Sequence, residues 1–172
     1  VSGSISFAPD GEQFVYVKNV SPDETALIIA NLKGGEERQL AVRKLPDLFS
    51  STGPAWSPDG KTIVCSGVTR AGERTSNLLA VSVADGAVTE ITDQKWRNIE
   101  RPAWFNDGSG LAAAAMELNK PEAGQIWFFP FPAGNPRSIT NDLNDYSGLS
   151  LTADLKRLTT IQFEIRRKIY LQ

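Results

Sequence analysis

Histidine is absent from this sequence of 172 residues, and cysteine and methionine each occur once. Without histidine, the segment can supply neither a Ser-His-Asp or Cys-His catalytic site nor an imidazole general base. Zinc sites of the HExxH type are excluded for the same reason. The single cysteine, Cys65, rules out a disulfide within the chain. We therefore expect no cofactor and no metal site, and we expect the segment not to be an enzyme.

An excess of charge of either sign is also missing, because 18 Lys and Arg residues face 20 Asp and Glu residues for a formal net charge of −2. The two signs are interspersed, so the sequence offers no basic stripe for nucleic acid. The longest apolar runs, at residues 111–116 and 126–131, are too short to cross a bilayer. We expect no nucleic-acid partner and no membrane insertion of this segment.

A repeated motif is the main positive feature of the sequence. Four segments align: FAPDG from Phe7, WSPDG from Trp56, WFNDG from Trp104 and LTADL from Leu151. Their aspartates stand at positions 10, 59, 107 and 154, so the intervals are 49, 48 and 47 residues. The fourth copy lacks both the proline and the glycine. A period this constant predicts a repeat architecture.

Each repeat contains the signals of four short strands. An Asp-Gly turn is followed by a run of β-forming residues, which is typical of a hairpin. A second strand, another glycine-containing turn and a short outer strand follow. This is the size and strand number of a propeller blade. The sequence therefore predicts an all-β chain of four-stranded antiparallel blades at about 1–48, 49–96, 97–144 and 145–172, three complete and the last truncated, forming an open arc. Residues 44–49 allow one helical turn at most.

The repeated aspartates and Cys65 invite a chemical interpretation. A ring of acidic residues is one form of metal or acid-catalytic site, but in a propeller these aspartates belong to different blades. A carboxylate in a tight turn also bonds the backbone amides of that turn. We therefore interpret Asp10, Asp59, Asp107 and Asp154 as turn residues. Cys65 lies in the middle of an apolar strand and is expected to be a core residue.

Aromatic residues recur in the segments that link one blade to the next. Phe49, Trp96 and Tyr146 each stand shortly before the first strand of a blade. Charged residues accompany them, and the candidate binding residues are Phe49, Trp96, Arg97, Glu100, Arg101, Asp145 and Tyr146. Two interpretations stay open at this point. The links run over a propeller face and bind a ligand there, or the aromatic residues have a repeated packing role.

The motif from Trp56 to Lys61, with the endings Ile91-Thr92 and Ile139-Thr140, resembles the TolB-type propeller repeats, which are also called WD40-like or PD40 repeats. The chain is similar in particular to propellers attached to bacterial membrane-anchored serine/threonine protein kinases, with residues 144–150 typical in shape. This resemblance implies a propeller fold and favours a periplasmic or extracytoplasmic location. It is specific for fold and weak for function. Similar repeats form the propeller of prolyl-oligopeptidase-type peptidases.

Two functions of different classes follow from this pattern. The first is a non-catalytic sensor or interaction module that binds a protein, peptide or small ligand through loops on one propeller face. The second is an accessory propeller of a hydrolase of the prolyl-oligopeptidase type, gating access to a catalytic domain outside this chain. An open arc would expose the apolar faces of its end blades. We therefore expect self-association or a place within a longer propeller.

Overall fold

The computed structural model describes residues 4–35, 37–120, 123–152 and 157–164, and within these ranges the chain contains strands and no helix. The all-β prediction is confirmed. The strands are β1 (Ser6–Phe7), β2 (Gln13–Ser21), β3 (Glu24–Asn31), β4 (Arg38–Lys44), β5 (Asp47–Phe49), β6 (Ala55–Trp56), β7 (Thr62–Thr69), β8 (Thr75–Ser82), β9 (Val88–Glu90), β10 (Trp96–Ile99), β11 (Ala103–Trp104), β12 (Gly110–Glu117), β13 (Gln125–Pro130), β14 (Arg137–Ser138), β15 (Asp145–Leu151) and β16 (Leu158–Phe163).

The strands pair as antiparallel blades in the order that the repeat predicts. The first blade is β1-β2-β3-β4, the second contains β6-β7-β8-β9, and the third contains β11-β12-β13-β14. A fourth unit is represented by the hairpin β15-β16. The sheets do not close on one another, which agrees with an open arc. Asp154 and the end of the predicted fourth blade, residues 165–172, lie outside the described residues.

The links between blades differ from the expectation. Residues 44–49 form no helical turn, because β5 pairs with β7 beside β6. In the same way β10 and β11 both pair with β12. In the second and third blades the inner strand is thus built in two pieces, and the predicted face loops supply the first piece. The backbone amide and carbonyl groups of these links form hydrogen bonds with the neighbouring strands of the sheet. The paired parts of the links therefore belong to the sheet and are not loops on the propeller face.

The Asp-Gly turns follow the expected pattern. Asp10 accepts a hydrogen bond from the amide of Glu12 at 2.9 Å, and Asp59 accepts one from that of Lys61 at 3.0 Å. Asp107 bonds Ser109 in the same way at 2.9 Å. The following glycines adopt φ values of 71°, 74° and 72°, which favour glycine over other residues. For these three copies the turn interpretation of the aspartates is confirmed.

Apolar side chains fill the spaces between successive blades. Successive residues of a strand point to opposite faces, so each blade contributes to two interfaces. One cluster joins the first two blades and includes Val15, Leu27, Phe49, Trp56, Ile63, Cys65 and Leu79. A second cluster joins the second and third blades and includes Val64, Leu78, Trp96, Trp104, Leu111, Ala113 and Phe129. The expectation of a core position for Cys65 is confirmed, and Trp56 and Trp104 are buried in the same clusters.

The opposite face of the first blade has no described blade against it. Phe14 and Tyr16 of β2 stack there with their ring centroids 6.1 Å apart. Phe7 extends the row and stands 6.5 Å from Phe14. Phe7 is 53% exposed, whereas its counterparts in the repeat, Trp56 and Trp104, are each 8% exposed.

Candidate functional site

The candidate binding residues separate into buried, half-buried and exposed groups. Phe49 and Trp96 are 2% and 0% exposed and belong to the core between blades. The amide of Phe49 donates to the hydroxyl of Thr25 at 2.8 Å. The ring of Trp96 packs edge-on against Trp127 and Phe129, with centroid distances of 4.8 and 5.4 Å. Their burial favours the packing interpretation for these two positions.

Tyr146 and Asp145 hold the fourth unit against the third blade. The amide of Tyr146 donates to the carbonyl oxygen of Gly124 at 2.9 Å, and Asp145 accepts a bond from the Gly124 amide at 2.7 Å. The phenol of Tyr146 donates to Asp142 at 2.7 Å. This bond raises the pKa of Tyr146 and lowers the pKa of Asp142. Both candidates therefore act as structural links in the described part of the chain.

One contact recurs at every junction between blades. A residue at or just before the start of the third strand of a blade contacts the aromatic position of the next blade: Thr25 of β3 contacts Phe49, and Gly124, just before β13, contacts Tyr146. At the middle junction, Ser76 of β8 is the bridge partner of Trp96. The sequence showed that the aromatic residues recur, but not that each recurs opposite the same strand.

The three remaining candidates lie around the inner strands. Arg97 is exposed and pairs with Glu73 at 3.4 Å. Glu100 accepts a hydrogen bond from the amide of Gly148 at 2.7 Å. Arg101 donates to the carbonyl oxygen of Ile5 at 2.8 Å, which joins the third blade to the first. Their role in ligand binding stays a prediction.

A cavity of about 560 Å³ lies where the inner strands of the blades converge. Its wall includes Phe7, Trp56, Arg101, Trp104 and Leu149. A volume of this size is typical of small-molecule sites. Sequence analysis singled out Arg101 but placed it on a face loop. The approach of β11 to both β6 and β15 brings it to the cavity.

Other chemistry is not indicated by the described residues. Among them, no three His, Cys, Asp or Glu residues are grouped to hold a metal ion. Burial raises the pKa of Cys65 to about 12, so its thiol stays protonated at neutral pH and is a poor nucleophile. No helix within the described ranges is long and apolar enough to span a membrane.

Comparison with known proteins gives two groups of relatives, although no family model matches the chain. Dipeptidyl-peptidase 5 of Porphyromonas gingivalis is 24% identical over 96% of this chain. An uncharacterized peptidase of Bacillus subtilis, YuxL, is 25% identical over 88% of it. The chain spans 25% and 20% of the lengths of these two proteins.

Solved structures show the same architecture. TolB from Acinetobacter baumannii superposes with a TM-score of 0.74 and 18% identity, covering 91% of this chain and 36% of TolB. A puromycin-hydrolyzing peptidase of Mycobacterium tuberculosis gives a TM-score of 0.65 and 17% identity, covering 92% of this chain and 27% of the peptidase. At such low sequence identities, the superpositions show a common fold and do not show a common function.

These relatives correct one expectation. We predicted a segment that is not an enzyme, but both sequence relatives are named as peptidases and so is one of the structural neighbours, which points to a hydrolase. The absence of histidine excludes only a site built wholly from this segment, and the segment spans a quarter or less of each sequence relative. The similarity to kinase-attached propellers finds no support among the proteins compared above. The chain has the fold of part of a TolB-like β-propeller, and its sequence relatives are named as peptidases.

Proposed function

We propose that this chain is part of the propeller of a peptidase of the prolyl-oligopeptidase type. The observation that carries the proposal is the similarity to dipeptidyl-peptidase 5, which extends over 96% of the chain. A similarity limited to the Asp-Gly motifs would reflect turn chemistry common to many propellers. One that extends over three blades and into a fourth unit also includes the links and the inner strands.

The geometry is compatible with a gating role. Apolar clusters join successive blades into a continuous wall, and the cavity at the inner strands is wide enough for a short peptide side chain or terminus. In this proposal the catalytic groups belong to the remainder of the protein. The propeller limits which peptides reach them, because a packed wall resists deformation.

The alternative, a sensor or interaction module, is supported only by the sequence resemblance to propellers attached to protein kinases. The structure gives its predicted binding residues mainly structural contacts: Phe49 and Trp96 are buried, and Asp145 and Tyr146 bond the third blade. Arg101 is the exception, because it faces the cavity.

The proposal is tested with the complete protein that contains this chain. We expect it to release the chromophore from dipeptidyl p-nitroanilides, and to lose this activity after labelling with a fluorophosphonate, which reacts with activated serine. Mass spectrometry should locate the label outside the 172 residues. Protein that is folded by circular dichroism but inactive on a panel of such substrates, and that takes up no label, would show that the proposal is wrong.

A further inference from the structure

Arg101 is a cation that faces the cavity without a carboxylate partner among the described residues. Among the described residues that line this cavity, none is an aspartate or a glutamate. The hydrogen bond found for its guanidinium is the one to the carbonyl oxygen of Ile5, at 2.8 Å. Some basic residues of the chain have acidic partners, as Lys95 pairs with Glu90 at 2.8 Å and Arg97 with Glu73 at 3.4 Å. Arg101 instead resembles Arg38, which also donates to a backbone carbonyl oxygen.

Arg101 is an exposed residue whose guanidinium is partly covered by the chain. This partial burial lowers the pKa of the guanidinium. An arginine does not lose its proton in a protein, so its charge persists. Its planar group offers five donors, and the two oxygens of a carboxylate accept two of them in parallel. A guanidinium with one carbonyl acceptor therefore retains free capacity for an anion.

The rest of the cavity wall combines polar and apolar groups. Phe7, Pro58 and Trp104 contribute apolar surface to its wall. Ser6 and Ser150 add hydroxyl groups at the inner strands of the first and fourth units. A wall that offers both kinds of group can contact the carbon skeleton and the polar groups of an organic ligand. A peptide segment that carries a carboxylate combines the two chemistries.

We propose that this cavity binds a carboxylate group of a peptide through Arg101, and that Arg101 thereby selects peptides with an acidic side chain or a free C-terminus. This inference rests on the proposed peptidase function and names the substrate class that the propeller favours. Arg101 acts as a specificity-determining residue that contacts the substrate away from the scissile bond.

The test compares peptides that differ in one carboxylate. The complete protein is given one peptide with a free C-terminus or a C-terminal amide, and a second pair, both amidated, with Glu or Gln at one position. We expect the carboxylate form of at least one pair to have a kcat/KM about 10- to 100-fold higher, the usual worth of a charged hydrogen bond. The pair that responds identifies the source of the carboxylate. Arg101→Gln should abolish the preference mainly through KM, and Arg101→Lys should keep part of it.

Arg38→Gln is the matched control. Arg38 is also exposed and donates to a backbone carbonyl oxygen of the neighbouring blade, that of Val83, at 3.0 Å, but it does not line this cavity. This variant should keep the preference. Parent protein that hydrolyses both members of each pair equally, or Arg101→Gln protein with an unchanged preference, would overturn the inference. The first result would indicate that a carboxylate of the larger protein already occupies Arg101.

Calorimetry separates this inference from the proposed function. The same peptides are titrated into the parent and Arg101→Gln proteins after treatment with the fluorophosphonate. Tighter binding of the carboxylate form by the parent alone supports the site even if no peptide is hydrolysed. Turnover with no carboxylate preference in rate or binding leaves the peptidase proposal standing and removes the inference about Arg101.

Discussion

The indole N–H of Trp104 donates to the carbonyl oxygen of Ala55 at 3.1 Å. This bond joins β11 of the third blade to β6 of the second. The same ring packs edge-on against Phe131, with the centroids 4.9 Å apart. Trp104 thus combines apolar packing with a polar contact across the boundary between two repeats. Its hydrogen bond satisfies a carbonyl that is otherwise buried at the interface.

Replacement of Trp104 should destabilise the chain strongly. We expect Trp104→Ala to lower the free energy of unfolding by about 3–5 kcal/mol, because it removes a large buried side chain and leaves a cavity. Trp104→Phe should lower the free energy of unfolding by a smaller amount, because phenylalanine keeps part of the packing although it cannot form the hydrogen bond to Ala55. Urea denaturation followed by circular dichroism measures both. An unfolding midpoint of Trp104→Ala equal to that of the parent would contradict the placement of β11.

Stability should fall in alkaline solution because of Cys65. Its pKa rises on folding from 9.0 to about 12, so between these values the unfolded chain loses the thiol proton while the folded chain keeps it. The contribution is fully present below pH 9 and is lost as pH rises towards 12. From pH 8 to pH 10 we expect a loss of about 1.4 kcal/mol from this group.

Cys65→Val serves as the control for the alkaline effect, because valine fills a similar apolar position and does not ionise. Burial also raises the pKa of Tyr16 to about 12, and the smaller loss that it contributes should be shared by parent and variant. Urea unfolding at the two pH values measures the difference. Equal losses in the parent and in Cys65→Val would disprove the assignment to the thiol.

The bond between Glu100 and the amide of Gly148 should protect that amide from exchange. Glu100→Ala removes the acceptor that lies 2.7 Å from it. We expect hydrogen exchange of the Gly148 amide to accelerate by about 5- to 30-fold, which corresponds to 1–2 kcal/mol. Glu73→Ala, which removes the partner of Arg97 on the surface, should leave this amide unchanged. Exchange followed by NMR that is equal in all three proteins would count against the contact.

The apolar face of the first blade should drive association of the isolated chain. Phe7 is 53% exposed where the matching tryptophans of the next two blades are covered by the preceding blade. Ile161 and Phe163 of the last described strand are also exposed, at 58% and 48%. We propose that a further blade of a longer propeller, or a second copy of the chain, covers the apolar face of the first blade.

Sedimentation velocity over a range of concentrations tests the association. Phe7→Lys should shift the isolated chain towards the monomer, because it places a charge on the face that should be covered. Leu143→Lys is the control, since Leu143 is 94% exposed and lies on a link outside that face. A parent chain that stays monomeric throughout would argue against the proposal.

Local features of the sequence predicted most of the fold. The Asp-Gly turns depend on adjacent residues alone, since a carboxylate that bonds the amide two residues on and a glycine with positive φ define them. Their constant spacing predicts the blades, because identical turns at regular intervals divide a chain into equal hairpins. The lone Cys65 in an apolar run predicts a core thiol.

The candidate site was only partly predictable. The composition of the segment before Phe49 resembles that of a loop, yet it pairs with β7, because the edge of that strand offers unpaired amide and carbonyl groups. The expectation that the segment is not an enzyme was wrong. The absence of histidine concerns this segment alone, whereas the activity of a peptidase depends on the whole protein.

The sequence by itself determined the all-β class, the turns and the strands of the blades, because these depend on interactions between residues close in the chain. Only the tertiary structure decided that Phe49 and Trp96 are buried and that Arg101 reaches the carbonyl of Ile5, 96 residues away. Such contacts depend on how the blades pack and on where their inner strands converge. A side chain in a link between blades has the same local sequence whether it faces solvent, a neighbouring blade or a cavity.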